Sequence, residues 1–173
     1  MNILFSFRAV KNFVFDIDGV LTDGGIYVAA PGQWIRRMDI KDGYAIQLAI
    51  TSGFNVMIIS GSDSQAVTSR LKNLGVQDIY MNVKDKKALL MTFAESHQWR
   101  WEETLYMGDD IPDYSCMELP LLSCCPADAA AEIKKISSYI SPMKGGFGCV
   151  RDVIEKVLKL TNRWPLETTV AAT

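Results

Sequence analysis

The chain alternates short apolar runs with segments in which apolar positions recur at helical spacing. Four runs have the length and composition of buried parallel strands and cover residues 13–15, 56–59, 79–81 and 104–107. Helical spacing is found over residues 44–51, 65–74 and 87–97. Strands that alternate with helices are typical of a doubly wound α/β fold, so we expect a parallel sheet with helices on both faces.

Two segments depart from this alternation. Apolar segments at residues 25–28 and 34–38 flank Ala-Pro-Gly-Gln at residues 30–33, which predicts a β-hairpin that projects from the sheet over about residues 25–38. The last segment, about residues 161–173, contains Pro165 and ends in small and polar residues, so we expect a mobile tail.

Polar residues gather where the predicted strands end. Asp16 follows the first strand and Ser60 follows the second. Lys86 comes soon after the third strand, and Asp109 comes after the fourth. Because ligands bind at the carboxyl ends of the strands in such sheets, we expect these four side chains to build one site.

The strongest chemical signal is the segment Asp-Ile-Asp-Gly-Val-Leu-Thr-Asp-Gly, which begins at Asp16. The carboxylates of Asp16 and Asp18 would repel each other at the end of a buried strand, and a divalent cation is the simplest compensation. One alternative is an ordinary strand-end turn, for which Asp-x-Asp-Gly is also suitable. An EF-hand calcium loop begins in the same way, but no third ligand or glutamate follows at the required positions.

A second acidic cluster contains Asp109, Asp110 and Asp113. Alone it could be the solvated start of a helix, where aspartate is favoured by the helix dipole. Combined with Asp16 and Asp18, it supplies the hard oxygen ligands that Mg²⁺ prefers. The two clusters together predict a magnesium site.

Composition narrows the range of partners. The chain has 173 residues, of which 49% are hydrophobic, and this length and composition are usual for one domain, which we place at residues 1–173. Its net charge of -2 gives no sign of a basic surface for nucleic acid or anionic lipid. We therefore expect neither a nucleic-acid nor a membrane partner, and a small molecule as substrate.

Cysteine usage and the amino-terminal residues bear on the cellular location. No metal-ligand spacing relates the four cysteines to His97, so we expect reduced, buried thiols at Cys116, Cys124, Cys125 and Cys149. Residues 1–10 are rich in apolar side chains, but Arg8 interrupts them and no small-residue cleavage site follows. These features favour the cytoplasm.

Four short motifs, in this order and spacing, resemble those of phosphatases of the haloacid dehalogenase superfamily. They are residues 15–24, residues 59–61, Lys86 and residues 108–113, and the match spans about residues 11–151. Within the superfamily, residues 21–24, 41–43 and 145–151 resemble the group that acts on 3-deoxy-D-manno-octulosonate 8-phosphate. The resemblance implies the fold of that superfamily.

The resemblance also implies roles for the acidic residues. Asp16 would attack phosphorus and form an aspartyl-phosphate, and Asp18 would be the general acid and base. Mg²⁺ would be held by the carboxylates of Asp16 and Asp109 and by the backbone carbonyl of Asp18. Asp110 and Asp113 would support the metal or its waters.

Further roles follow from the same resemblance. Ser60 and Lys86 would hold the phosphoryl oxygens. Substrate contacts are expected from Thr22, Lys41, Gly61, Arg70 and Arg151. The superfamily often has Thr-Gly-Arg where this chain has Ser-Gly-Ser at residues 60–62, so one substrate-binding arginine of the pattern is missing.

The intervals between the motifs leave no room for a large cap. Residues 19–59 hold the hairpin and one helix, and residues 61–85 hold one helix and one strand. A small substrate would then be poorly enclosed, so either the substrate is macromolecular or another subunit supplies the missing wall. The exposed hairpin favours the second alternative. The resemblance implies a homotetramer formed through the hairpin.

Three functions fit these observations. The first is hydrolysis of 3-deoxy-D-manno-octulosonate 8-phosphate, a step towards lipopolysaccharide. The second is hydrolysis of a nine-carbon keto-deoxy sugar acid 9-phosphate, and the third is a non-catalytic oligomerisation domain like those fused to cytidylyltransferases. A module used only for assembly would not need so costly a cluster of buried charges, which argues against the third function.

Overall fold

A parallel sheet forms the centre of the molecule. The computed structural model describes residues 2–164, and the sheet contains six strands: β1 (Asn12–Phe15), β4 (Asn55–Ile59), β5 (Asp78–Tyr80), β6 (Thr104–Met107), β7 (Leu122–Cys125) and β8 (Tyr139–Ile140). β2 (Tyr27–Ala30) and β3 (Gln33–Ile35) form a separate two-stranded sheet. The spatial order of the main sheet is β5-β4-β1-β6-β7-β8, and all its pairs are parallel. The predicted doubly wound sheet is confirmed.

Seven helices cover the two faces of the sheet within the described residues. They are α1 (Ile3–Ala9), α2 (Ile40–Thr51), α3 (Gln65–Asn73), α4 (Lys86–Ser96), α5 (Tyr114–Met117), α6 (Ala131–Ile136) and α7 (Cys149–Leu160). α1, α2, α3 and α7 pack on one face, and α4, α5 and α6 pack on the other. Because successive side chains of a strand point to opposite faces, Phe13 and Phe15 enter the first core and Val14 enters the second.

The predicted helix at residues 87–97 begins one residue earlier. Asp85 precedes it, and its Oδ1 accepts a hydrogen bond from the backbone N–H of Ala88, 2.9 Å away. This N-cap starts α4 at Lys86, so the lysine lies in the first helical turn, where its side chain reaches the carboxyl edge of the sheet.

The hairpin is present, but the predicted limits of its strands were wrong. The strands cover Tyr27–Ala30 and Gln33–Ile35 instead of residues 25–28 and 34–38, and the turn is at Pro31 and Gly32. Ala29 and Ala30 continue the first strand up to Pro31, which cannot donate to a strand pair. A single antiparallel bridge between Thr22 and Met38 joins the base of the hairpin to the loop that follows β1.

No additional domain interrupts the described part of the chain between β1 and β6. The segment from β1 to β4 contains the loop after β1, the hairpin and α2, and the segment from β4 to β6 contains α3, β5, α4 and a short 3₁₀ turn. In the described residues, the insertion between β1 and α2 is therefore a hairpin and not a cap domain. Among residues 2–164, no helix has the length and hydropathy needed to cross a membrane.

The predicted tail lies mostly outside the described residues. Residues 161–164 follow α7, and the ring of Trp164 makes an edge contact with Tyr44 at 6.1 Å between centroids. Residues 165–173, which include the predicted mobile positions, are not among the described residues.

Candidate active site

A cavity of about 380 Å³ opens at the carboxyl ends of β1, β4 and β6. The chain winds from β1 to β4 and β5 on one side and continues through β6, β7 and β8 on the other, so the strand order reverses between β1 and β6. Ligands of doubly wound sheets bind at this reversal. The structure brings the four strand-end residues together here, because Asp16, Ser60, Lys86 and Asp109 all line the cavity.

Asp16 lies at the bottom of this cavity. Its backbone N–H donates to the carbonyl of Met107 at 3.1 Å, which fixes the residue at the junction of β1 and β6. Lys86 Nζ is 2.9 Å from Asp16 Oδ1, but this ion pair lacks the angles of a hydrogen bond, and Oδ1 is buried without a hydrogen-bond partner among the described residues. A buried carboxylate oxygen in this state is costly unless a further cation or donor approaches it.

A buried network holds Lys86 and Asp113 in place. Lys86 Nζ donates to Asp113 Oδ1 at 2.7 Å, and the hydroxyl of the buried Tyr106 donates to the same oxygen at 2.6 Å. Burial alone would lower the pKa of Lys86, but the charges of Asp16 and Asp113 raise it above its ordinary value. The lysine therefore remains charged. Tyr106 was not identified from the sequence, because a tyrosine is an ordinary residue of a buried strand.

Three carboxylates crowd one side of the cavity. One oxygen each of Asp16, Asp109 and Asp113 lies within 4.8 Å of the others. Burial, followed by the charge of Asp113, raises the pKa of Asp16 to about 7 in spite of the nearby lysine. Burial and then the charge of Asp16 raise the pKa of Asp109 to about 7. One ammonium group does not neutralise three carboxylates, so hard oxygen atoms are available here for a divalent cation such as Mg²⁺.

The loop after β1 approaches this cluster closely. Gly19 has a φ of +84°, and a Cβ atom there would overlap the carboxylate of Asp109. Glycine is therefore required on both conformational and steric grounds. Thr22 is fully buried in the same loop, where its Oγ1 accepts from the N–H groups of Gly19 and Gly24, each at 3.3 Å. Thr22, a predicted substrate contact, thus stabilises the loop in this chain.

Asp18 makes an ion pair with the hairpin. Arg36, just after β3, donates from Nε to Asp18 Oδ1 at 2.7 Å and from Nη2 to Oδ2 at 3.3 Å. The hydroxyl of Thr22 lies 3.4 Å from the same Oδ1. Sequence motifs could not show this pairing, because it depends on how the hairpin folds back over the loop.

Ser60 and Gly61 lie at the opposite side of the cavity, after β4. Ser60 Oγ lies 3.0 Å from Ser62 Oγ and accepts from the N–H of Ser62 at 3.1 Å. A serine at position 62 therefore stabilises the hydroxyl of Ser60 where the superfamily often has arginine. Among the other acidic residues, Asp110 accepts a 2.8 Å hydrogen bond from the N–H of Ile111 and caps the 3₁₀ turn Ile111–Asp113.

The remaining predicted substrate contacts line two other cavities. Lys41 and Arg151 line one of about 450 Å³ beside α7, where Arg151 also pairs with Glu155 at 3.0 Å. Arg70 lines one of about 830 Å³ between the hairpin and the start of α3. Its Nη2 atom is buried and has no hydrogen-bond partner among the described residues.

The motif at residues 41–43 contacts the motif at residues 145–151 away from the cavity at the strand ends. Asp42, in the first turn of α2, accepts from the N–H of Arg151 at 2.7 Å and from the N–H of Gly148 at 3.3 Å. It therefore caps the amino-terminal end of α7 from another helix. A Cβ on Gly145 would overlap the carbonyl of Gly19, so the glycine segment packs directly against the loop after β1.

The parallel sheet, the Asp-x-Asp loop at the reversal of strand order and the lysine among carboxylates define the class of the protein. They are the arrangement that the sequence motifs predict for a phosphatase of the haloacid dehalogenase superfamily. A structure from Legionella pneumophila, described as a putative hydrolase of this superfamily, has 25% sequence identity and a TM-score of 0.89 over 92% of this chain and 88% of that chain.

Comparison with named proteins gives a narrower family. The chain is 32% identical over 149 residues to the 3-deoxy-D-manno-octulosonate 8-phosphate phosphatase KdsC of Yersinia pestis, covering 86% of this chain and 80% of that protein. The crystal structure of the corresponding phosphatase from Moraxella catarrhalis, in complex with magnesium ion, phosphate ion and KDO, has 30% identity and a TM-score of 0.88 over 94% of each chain. The chain belongs to the family of 3-deoxy-D-manno-octulosonate 8-phosphate phosphatases. No family model matches it.

Proposed function

We propose that the chain is a magnesium-dependent phosphatase that hydrolyses 3-deoxy-D-manno-octulosonate 8-phosphate to the free sugar acid and phosphate. The observation that carries this proposal is the cluster of Asp16, Asp109 and Asp113, whose carboxylate oxygens lie within 4.8 Å of one another at a cavity shared with Lys86. The names of the relatives, and the magnesium, phosphate and KDO in the Moraxella catarrhalis structure, support the same reaction.

Asp16 supplies the nucleophile in this proposal. A carboxylate oxygen attacks phosphorus, the new P–O bond forms as the bond to the sugar oxygen breaks, and the carboxyl group of Asp18 gives its proton to the leaving oxygen. In the second step a water attacks the aspartyl-phosphate and gives a proton to the Asp18 carboxylate. The bond between phosphorus and Asp16 then breaks, which restores both aspartates and releases phosphate.

The metal ligands in this proposal are the carboxylates of Asp16 and Asp109 and the backbone carbonyl of Asp18, with Asp110 and Asp113 supporting them. The crowding of three carboxylates around one lysine fits a divalent cation. When bound, Mg²⁺ supplies positive charge that stabilises the phosphoryl oxygens in the transition state. Asp113 orients Lys86 through their 2.7 Å hydrogen bond.

Ser60, Gly61 and Lys86 bind the phosphoryl group. Lys86 lies 2.9 Å from the nucleophilic carboxylate. Its ammonium group can therefore stabilise the negative charge first on Asp16 and then on the phosphoryl oxygens. The hydroxyl of Ser60 and the exposed backbone of Gly61 line the same cavity on the side away from the acidic cluster.

The sugar acid extends from this cavity towards the hairpin. Arg70 lines the hairpin cavity, and its positive charge favours the substrate carboxylate there. Its Nη2 atom is buried without a hydrogen-bond partner among the described residues. Lys41 and Arg151 line a different cavity of the same chain, so their predicted contact with substrate stays a prediction.

The active form in this proposal is a homotetramer in the cytoplasm. Exposed apolar residues support the hairpin as the surface of association. Val28 is 75% and Trp34 58% exposed, and their two-stranded sheet pairs with no other strand of the described chain. Such surfaces are usually covered by a partner. Four free, buried cysteines are consistent with a reducing compartment.

A panel of phosphate-release assays tests the substrate. With Mg²⁺ present, we expect the highest kcat/KM for the eight-carbon sugar-acid phosphate, lower values for the nine-carbon analogue and slow turnover of hexose phosphates. Chelation with EDTA should stop all of them. A higher kcat/KM for the nine-carbon acid 9-phosphate would make that compound the substrate. Activity that survives EDTA would contradict the metal requirement.

A further inference from the structure

The side chain of Arg36 is buried against the acidic loop. It is 3% exposed, whereas the side chain of its partner Asp18 is 33% exposed and lines the catalytic cavity. The guanidinium uses Nε and Nη2 on the two carboxylate oxygens, at 2.7 and 3.3 Å. A two-point contact from a planar guanidinium fixes both the distance and the orientation of a carboxylate.

Arg36 also lies where two cavities meet. It lines the hairpin cavity together with Trp34 and Arg70, whereas Asp18 lines the catalytic cavity. The bridge between Thr22 and Met38 holds the base of the hairpin beside this pair. Within the described residues, the hairpin is thus joined to the loop after β1 by the backbone bridge and by this partly buried ion pair.

The ion pair has a direct chemical consequence. After Asp18 has given its proton to the leaving oxygen, it carries a negative charge close to the phosphorylated Asp16. Arg36 already contacts both oxygens of that carboxylate, so the charge is neutralised without a rearrangement of the loop. The same contact keeps an oxygen oriented to accept the proton of the attacking water.

We propose that Arg36 is a positioning residue that holds the carboxylate of Asp18 for both proton transfers and thereby links the hairpin to the chemistry. This inference rests on the proposed function. It predicts that the loss of Arg36 affects proton transfer to the leaving group more than binding of the substrate.

The leaving-group dependence of hydrolysis tests this role. Wild type, Arg36→Ala and Arg36→Lys would be assayed on the sugar-acid phosphate and on a series of phenyl phosphates whose phenols differ in acidity. For Arg36→Ala we expect kcat on the sugar-acid phosphate to fall on the order of 10²-fold with little change in KM. Phenyl phosphates with acidic phenols should lose much less, because these leaving groups need no proton. Lysine should restore part of the loss.

Arg37→Lys is the matched control. Arg37 follows in the chain, but its Nη1 donates to the carbonyl of Gly146 at 2.7 Å and not to Asp18. Its leaving-group dependence should equal that of wild type even if the variant is less stable. Thermal unfolding of each variant separates loss of the fold from loss of positioning, and the conservative Arg36→Lys keeps the test valid if Arg36→Ala does not fold.

A double-mutant cycle with Asp18→Asn decides whether Arg36 acts through Asp18. We expect no further loss of kcat when Arg36→Lys is added to Asp18→Asn, because the group to be positioned is already absent. A full additional loss, a change confined to KM or an unchanged leaving-group dependence would overturn the inference while wild-type turnover still supported the proposed function. Wild type without any phosphatase activity would contradict both.

Discussion

Individual side chains at the carboxyl edge of the sheet carry more negative charge than the nearby lysine neutralises. Burial and mutual repulsion raise the pKa values of Asp16 and Asp109 to about 7, which shows how unfavourable the bare carboxylates are. Within the described part of the chain, only one ammonium group contacts this acidic cluster, that of Lys86, which pairs with Asp16 and Asp113. A divalent cation would remove this repulsion, so metal binding and catalysis depend on the same residues.

Asp109→Asn tests this dependence. The amide keeps the size of the carboxylate but removes its charge, so we expect the Mg²⁺ concentration for half-maximal activity to rise on the order of tenfold or more. Asp110→Asn is the matched comparison and should have a smaller effect, because an amide oxygen can still accept the hydrogen bond from Ile111. Titration of phosphate release with Mg²⁺ measures both. Equal effects in the two variants would contradict the assignment of Asp109 as a direct ligand.

Sequence motifs identified most of the side chains that line the catalytic cavity. Asp16, Ser60 and Asp109 could be predicted because each lies one or two residues after a buried strand, and parallel strands end at one edge. The pairing of Arg36 with Asp18 was not identified, since it depends on the bend of the hairpin. The contact of Tyr106 with Asp113 was not identified either, since it depends on the register of β6 beside β1. Motif spacing contains no information on either contact.

Contacts between separate elements explain the structural role of the motifs at residues 41–43 and 145–151. The carboxylate of Asp42 on α2 accepts two backbone hydrogen bonds at the start of α7, and the glycine segment before α7 packs on the loop after β1. The motif at residues 41–43 therefore stabilises the junction of two helices. Predicting this required the path of the chain between α2 and α7, which includes the short strands β7 and β8 that sequence patterns did not identify.

The buried Asp42 also gives a pH-dependent contribution to stability. Burial raises its pKa from 3.8 to about 6, so the folded state binds the proton more tightly than the unfolded chain. The contribution is fully present below pH 3.8 and is lost as the pH rises through about 6. A shift of roughly two units corresponds to about 3 kcal/mol.

Asp42→Asn removes this titration. We expect the free energy of unfolding of wild type, relative to that of Asp42→Asn, to decrease by about 1–3 kcal/mol between pH 4 and pH 6.5. Other groups titrate in both proteins and cancel in the difference. Urea denaturation at a series of pH values measures it. A difference that is constant over this range, or that increases with pH, would be incompatible with a raised pKa at Asp42.

The molecule as a whole presents an open site beside an apolar hairpin. The catalytic cavity and the hairpin cavity share the Arg36–Asp18 ion pair, and no other domain covers them in residues 2–164. The hairpin exposes Tyr27, Val28, Trp34 and Ile35. Association through this surface would cover apolar area and enclose the substrate in one step, and closed symmetry would repeat the contact in every subunit.

Trp34→Glu tests the proposed assembly. Wild type should sediment as a tetramer, whereas a charge in the hairpin surface should produce smaller species. The variant should lose most turnover of the sugar-acid phosphate and keep part of its activity on p-nitrophenyl phosphate, because the nucleophile remains in place. Met91→Glu, which adds the same charge at an exposed apolar residue of α4, should assemble normally. A fully active wild-type monomer would contradict the tetramer.

The most direct measurement is phosphate release from 3-deoxy-D-manno-octulosonate 8-phosphate by wild type and Asp16→Asn in the presence of Mg²⁺. Asp78→Asn, at the start of β5 and away from the carboxyl edge, is the control for an aspartate-to-asparagine change. We predict turnover by wild type and by Asp78→Asn, and none by a folded Asp16→Asn, because an amide cannot accept the phosphoryl group. Turnover by Asp16→Asn close to that of wild type would contradict the assignment of Asp16 as the nucleophile.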